Sequence, residues 1–169
     1  PGQTSLTISI KNNAPGGGGN DWVMDDIAFS TCLPSLQMRP SNSPTYCNNG
    51  QVDVSVAVST FFDNFAYYQW ERSTNNGATW SPAPESPSVQ TFTYVTSGLN
   101  HLDTVALPSF LANSGNNGYR YRIRTSTSTT NIASDICAIY NSTDIITINV
   151  HSTCDVLPAE ILQFNVQLN

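Results

Sequence analysis

Apolar and polar residues alternate with a period of two along most of this chain. The clearest run is Val52, Val54, Val56 and Val58, where each valine is separated from the next by a polar or small residue. A period of two is typical of a β-strand with one buried face. No stretch shows the 3.6-residue period of an amphipathic helix. The pattern therefore predicts an all-β chain.

Residues 67–80 carry the strongest hairpin signal. Tyr68 and Trp70 alternate with Gln69 and Glu71, and an Asn-Asn-Gly turn follows at 75–77. Asn and Gly tolerate the positive φ that a tight antiparallel hairpin requires. We expect this unit to place Trp70 in the core, with Glu71 facing the other way.

Both ends of the chain have alternating apolar residues and no obvious partner for them. The residues concerned are Leu6, Ile8, Ile10, Val23, Ile27 and Phe29 at one end, and Leu162, Phe164, Val166 and Leu168 at the other. Burial of one such residue contributes about 1.5–3 kcal/mol, which strongly favours some covering partner. Either the two ends pair within one chain, or each completes a sheet in a neighbouring copy. Prolines in the 33–46 linker favour neighbouring copies and a head-to-tail polymer.

Charge and composition narrow the range of partners. The net charge is −6, and only 11% of residues are charged, against roughly 25% in typical soluble domains. An acidic chain is a poor ligand for nucleic acid or an anionic membrane surface. No apolar run approaches the roughly 20 residues of a membrane helix, so we expect no membrane insertion. The opening PGQTSLTISI lacks signal-peptide features, which favours an internal or processed piece of a longer protein.

Four cysteines, Cys32, Cys47, Cys137 and Cys154, occur without any Cys-x-x-Cys pair. This use of cysteine favours two disulfides in an oxidising compartment. The two histidines, His101 and His151, are far apart in sequence, which makes a zinc site unlikely. No nucleophile elbow or His-Glu-x-x-His motif is present, so the sequence predicts neither an enzyme nor a cofactor.

Several short motifs resemble those of surface proteins exported by the type IX secretion system of Bacteroidetes. They are Tyr68-Gln69-Trp70, Arg72-Ser73-Thr74, Asn76-Gly77-Ala78-Thr79-Trp80 and Gly118-Tyr119-Arg120-Tyr121-Arg122, together with Gly19-Asn20-Asp21, Asp25-Asp26-Ile27 and Leu157-Pro158-Ala159-Glu160. The resemblance implies an immunoglobulin-like β-sandwich over residues 32–154. Residues 1–31 are similar to the last hairpin of a jelly-roll module, and residues 155–169 to a strand of a following module or one exchanged with a neighbour.

The resemblance implies export to the cell surface as a non-catalytic structural or adhesive segment. The alternative is a carbohydrate-binding module of a secreted enzyme, with surface glycans as partners. Jelly-roll modules often bind structural calcium through aspartates, so Asp21, Asp25 and Asp26 are candidate ligands, although three carboxylates alone supply too few oxygens. Asp103-Thr104-Val105 matches the short O-glycosylation motif of Bacteroidetes, which makes Thr104 a candidate acceptor.

An immunoglobulin-like strand order also predicts the disulfides. Cys32 and Cys137 precede the first and last strands at one end of the sandwich, and Cys47 and Cys154 lie at the other. Because bonded Cα atoms lie within about 7 Å, the favoured pairs are Cys32–Cys137 and Cys47–Cys154.

Two further groups of side chains have a structural and a binding interpretation. Arg120, Arg122 and Arg124 share a strand face, which is either solvated, with Arg122 opposite Glu71, or a grip for a carboxylated sugar. Phe61, Phe62 and Phe65 either fold over the core or stack on a sugar. The structural interpretation is favoured in both cases.

Overall fold

The structure is a computed structural model, and it describes residues 7–11, 33–61, 63–133, 138 and 143–154. Its strands are β1 (Ser35–Arg39), β2 (Thr45–Cys47), β3 (Gln51–Val52), β4 (Ser55–Thr60), β5 (Tyr67–Ser73), β6 (Ser81–Pro82), β7 (Gln90–Thr91), β8 (Val95–Ser97), β9 (Asn100–Ala106), β10 (Phe110–Leu111), β11 (Arg120–Ser126), β12 (Ile146–Thr147) and β13 (Asn149–His151). One short 3-10 helix, Ser114–Asn116, accompanies them. The all-β prediction is confirmed.

The described residues form two larger sheets, arranged like a sandwich, and two short strand pairs, β10-β3 and β13-β2. The first sheet has the antiparallel order β1-β4-β9-β8, and the second has the order β12-β11-β5-β6, with β7 also paired to β5. The core between them takes the inward face of each sheet. Trp70 is completely buried there, as the alternation around it predicts, and its register partner Ile123 is buried beside it. The four valines at 52–58 are also buried, so the period-two pattern identified the correct face.

The hairpin after β5 has the predicted turn chemistry. Asn76 has φ 60° and Gly77 has φ 87°, both in the left-handed region that these residue types favour. The Ser73 hydroxyl accepts a hydrogen bond from the Gly77 backbone N–H at 2.9 Å. Trp80 follows the turn, just before β6, and its indole N–H donates to the Gly77 carbonyl at 3.1 Å. The turn is therefore fixed by side chains as well as by backbone conformation.

The chain runs through this domain from one end to the other. β1 is antiparallel to β4, with Ser35 opposite Ser59, so residue 33 lies at the end where β4 finishes. β2 leads into the turn at 48–50, from which β3 and β4 return, so it ends at the opposite end. β13 runs parallel to β2, with His151 opposite Cys47. Residues 33 and 154 consequently lie at opposite ends of the sandwich.

Several details differ from the sequence prediction. The expected single strand over 51–58 is two strands interrupted at 53–54, although the Leu107 N–H still donates to the Val54 carbonyl. The stretch after Trp80 is rich in proline, which is unfavourable in a central strand, but its first two residues, Ser81–Pro82, pair with β5 at the margin of the sheet, where a proline without an N–H is tolerated. Residues 7–11 form no strand, since no described residue pairs with them. The expected terminal strand after 154 lies outside the described residues.

The immunoglobulin-type tyrosine corner is not seen at Tyr119. A corner tyrosine bonds the nearby backbone through its hydroxyl. In this structure the Arg72 guanidinium lies 4.9 Å from the centre of the Tyr119 ring instead. Tyr121, at the position of the second core cysteine of antibody domains, is completely buried and donates its hydroxyl to Glu85 at 3.1 Å.

Candidate functional site

A disulfide joins the end of the second strand to the segment after the last one. Cys47 ends β2, Cys154 follows β13, and the two are bonded with their Cα atoms 5.4 Å apart. This predicted pair is confirmed. The other predicted pair, Cys32–Cys137, lies outside the described residues.

Backbone hydrogen bonds surround this disulfide. β2 and β13 form a parallel pair of three residues each, and the Asn48 N–H donates to the His151 carbonyl at 2.9 Å. The Tyr46 hydroxyl donates to the Asp53 carbonyl at 2.9 Å, and burial raises the pKa of Tyr46. We call Thr45–Cys47, Asn149–His151 and Cys154 the junction. The junction ties the first part of the domain to the last across a sequence separation of 107 residues.

The arginine row on β11 is a buried ionic cluster. Arg122 Nε donates to Glu71 Oε2 at 2.7 Å, and both side chains are more than nine-tenths buried. Arg124 Nε lies 3.2 Å from Glu71 Oε1, but its alignment is too poor for a hydrogen bond. The predicted pairing of Arg122 with Glu71 is confirmed, whereas the predicted solvated face is wrong.

Two residues cover this cluster. The Arg122 guanidinium lies 4.2 Å from the centre of the Trp80 ring, a cation–π contact. The carbonyl of Ile132, which is itself buried, accepts a hydrogen bond from Arg124 at 3.3 Å. Because Glu71 and these covers occupy both arginines, the cluster is no site for an external carboxylated sugar.

A second set of charges holds Tyr121. Arg72 donates to Glu85 Oε1 at 3.1 Å, and the same oxygen accepts from the Tyr121 hydroxyl. Burial, followed by the negative charge of Glu85, raises the pKa of Tyr121. On the opposite side of the core, Tyr94 donates to the Phe65 carbonyl at 2.8 Å, and burial raises its pKa, with a further contribution from Asp103. These groups are held by internal contacts.

The outward face of the first sheet carries an open groove of about 490 Å³. Small side chains form its floor, namely Ala57 and Ser59 on β4 and Thr104 on β9. Gln37 and Arg39 on β1 line one side. Val95 and Leu102, which are partners in the β8–β9 pair, line the other. We call these seven residues the outer groove. Ser35, Val58, Thr93 and Asp103 complete its lining, and the Asp103 carboxylate accepts hydrogen bonds from the backbone N–H groups of Thr93 and Thr104 at 2.6 and 2.7 Å.

The structure places the remaining predicted site residues as follows. Thr104, the candidate glycosylation acceptor, is exposed on the floor of the outer groove. Phe61 is 49% exposed and Phe65 is buried, so the two do not form one exposed aromatic platform, and Phe62 lies outside the described residues. Ile8 and Ile10 are 52% and 55% exposed, without a covering partner among the described residues.

The other predicted residues lie in parts of the chain that the structure does not describe. They are the calcium candidates Asp21, Asp25 and Asp26, and the assembly residues Leu6, Ile27, Phe29, Leu162, Phe164, Val166 and Leu168. Within the described ranges, no group of three His, Cys, Asp or Glu residues is arranged to hold a metal ion. None of the helical segments in those ranges has the length and apolarity needed to cross a bilayer.

The geometry defines an all-β, sandwich-like domain with a disulfide junction at one end and an open groove on one sheet. No protein-family model matches this chain, and no curated protein gives a significant sequence match.

The sequence did not reveal the outer groove. Its residues come from four strands, and each one alone reads as an ordinary exposed position. The one available signal was Arg39, the only arginine outside the 72–124 region.

Proposed function

We propose that this chain is a non-catalytic structural and adhesive segment of an extracellular protein, in which it transmits tension along the polypeptide. One observation carries the proposal. The Cys47–Cys154 bond joins β2, the second strand of the domain, to the segment through which the chain leaves it. Tension applied on either side passes through this covalent bond and bypasses the folded residues in between.

The direction of the strands supports the same role. Residues 33 and 154 lie at opposite ends of the sandwich, which suits domains that follow one another in series. β2 and β13 are parallel, so tension on the two ends of the reduced chain loads their hydrogen bonds together in shear, whereas the disulfide carries the load past β13 in the oxidised chain. The sheet orders also resemble the A-B-E-D and C-F-G arrangement of immunoglobulin-like domains, in which series are common.

Secretion to a cell surface is part of this proposal. A disulfide across 107 residues is stable in an oxidising compartment and uncommon in a reducing cytosol. The low share of charged residues suits an extracellular β-module. Bacterial export of the type IX kind is an expectation from the sequence motifs, and head-to-tail assembly is an expectation from the apolar residues at the two ends of the chain.

Single-molecule pulling tests the proposal. The chain is held by its two ends, with Cys32→Ser and Cys137→Ser introduced so that the junction disulfide acts alone. The oxidised chain should keep residues 48–153 outside the tension path at every force, and reduction should bring them into it. An oxidised chain that extends as far as the reduced one would contradict the proposed role.

A further inference from the structure

We propose that the outer groove is a binding site for acidic oligosaccharides, with Arg39 as the contact for a sugar carboxylate. This inference gives the adhesive part of the proposed function a ligand class, and so it rests on that function. It differs from the prediction that placed a carboxylated sugar on the β11 arginines, which Glu71 occupies.

Arg39 is the cationic side chain that the groove offers to a ligand. The chain has one lysine and five arginines, and all six are among the described residues. Four arginines belong to the second sheet, where Glu71, Glu85 and the Asn76 carbonyl accept their hydrogen bonds or ion pairs. Arg39 is exposed on β1 and makes no ion pair with any described carboxylate. A guanidinium binds a carboxylate through two parallel hydrogen bonds, and the Arg39 guanidinium is available for this in the groove.

The floor of the groove carries hydrogen-bonding groups that suit a sugar. Ser59 and Thr104 present hydroxyl groups on the outward face, and Gln37 adds an amide beside Arg39. Hydroxyl and amide groups both donate and accept hydrogen bonds, which matches the paired donor and acceptor character of sugar hydroxyls. The small side chain of Ala57 lies next to Ser59 and Thr104, so the floor is low enough for a sugar ring to lie against the sheet.

The wall opposite Arg39 suits the apolar face of a sugar ring. Val95 is 68% exposed and Leu102 is 39% exposed, so this wall is apolar and accessible. A pyranose ring has an apolar face of C–H groups and a rim of hydroxyls, and this groove pairs an apolar wall with a polar one. β1 and β8 are three strand spacings apart, about 14 Å, which leaves width for an oligosaccharide. A protein partner is the less favoured occupant, because the groove lacks the Trp and Tyr anchors that dominate protein interfaces.

The test is an NMR titration of the ¹⁵N-labelled full chain. The probes are trimers to hexamers of galacturonate, glucuronate and mannuronate, each beside its methyl-esterified form. We expect at least one acid form to shift the amide signals of Gln37, Arg39 and Thr104, while the signal of Leu111, on a strand that does not line the groove, stays unchanged. Esterification and Arg39→Gln should each weaken binding by about tenfold, since a charge-assisted hydrogen bond is lost. Thr104→Phe, which fills the floor, should abolish binding.

Lys11→Gln is the matched control, because it removes one exposed positive charge that does not line the groove, and it should leave the affinity unchanged. Four results would overturn the inference: no shifts at millimolar sugar, shifts outside the groove, equal binding of the esters, or equal weakening by Lys11→Gln. Groove signals that respond to protein concentration without sugar would indicate a second copy as the occupant, and would also overturn it. None of these results bears on the pulling experiment, so failure here is distinguishable from failure of the proposed structural role.

Discussion

Arg122 Nε donates a 2.7 Å hydrogen bond to Glu71 Oε2 across the β11–β5 ladder, and both side chains are buried. This face of the second sheet is therefore closed by an internal ion pair, and the arginine row is structural. Replacing one member of a buried pair leaves the other in a low-dielectric site without its counter-charge, which costs more than the pair contributes as a whole.

Glu71→Gln should accordingly destabilise the protein by about 3–5 kcal/mol. The matched control is Glu85→Gln, because Glu85 pairs with Arg72 in a more exposed position and an amide oxygen can still accept both of its hydrogen bonds. The control should cost about 1 kcal/mol or less. Urea denaturation of both variants gives the comparison, and equal losses would show that burial does not distinguish the two pairs.

Trp70→Ala should cost about 3–5 kcal/mol, because a large cavity replaces a completely buried ring. Trp70→Phe should cost less. It retains much of the ring and also removes an indole N–H that has no hydrogen-bond partner among the described residues. Thermal unfolding of the two variants measures the difference, and a Trp70→Ala protein that melts like the parent would refute the assignment of Trp70 to the core.

Strand positions and buried faces were largely predictable from the sequence, and the reason is local. Alternation at 52–58 and around Trp70 reports which side chains point inward, and the Asn-Gly turn reports a positive φ. The Glu71–Arg122 pairing followed from placing two such strands side by side. The burial of this pair could not be predicted, because Trp80 and Ile132 cover the cluster and the positions of these two residues depend on loops. The outer groove could not be predicted from the sequence either, because four strands contribute to it and the register between strands depends on the tertiary fold.

Alkaline pH should destabilise the protein through its buried tyrosines. Burial raises the pKa values of Tyr94 and Tyr121 above the ordinary value near 10. A raised folded-state pKa gives stability that is fully present below pH 10 and is lost as the pH rises above it, because only the unfolded chain then releases the proton. Unfolding free energies measured from pH 8 to pH 11 should fall above pH 10, and Tyr94→Phe should reduce that fall. Constant stability over this range would contradict the prediction.

The junction disulfide should contribute about 4–5 kcal/mol to stability, because it closes a loop of about 107 residues. In a chain that already carries Cys32→Ser and Cys137→Ser, adding Cys47→Ala and Cys154→Ala should lower the free energy of unfolding by about this amount. Chemical reduction of the chain that carries only Cys32→Ser and Cys137→Ser provides an independent control, because it breaks the same disulfide without a further substitution. A loss below about 1 kcal/mol would mean that the bond does not restrain the unfolded chain in the expected way.

The length released when a single chain is pulled by its ends shows whether the Cys47–Cys154 disulfide carries the tension. With the junction disulfide as the sole disulfide, the reduced chain should release the segment between Cys47 and Cys154, whose sequence separation is 107 residues. At about 3.3–3.6 Å each, this adds roughly 350–385 Å of extended length. The account predicts that the oxidised chain lacks this step at forces that fully unfold the reduced one. A step of the same length in the oxidised chain would contradict the account.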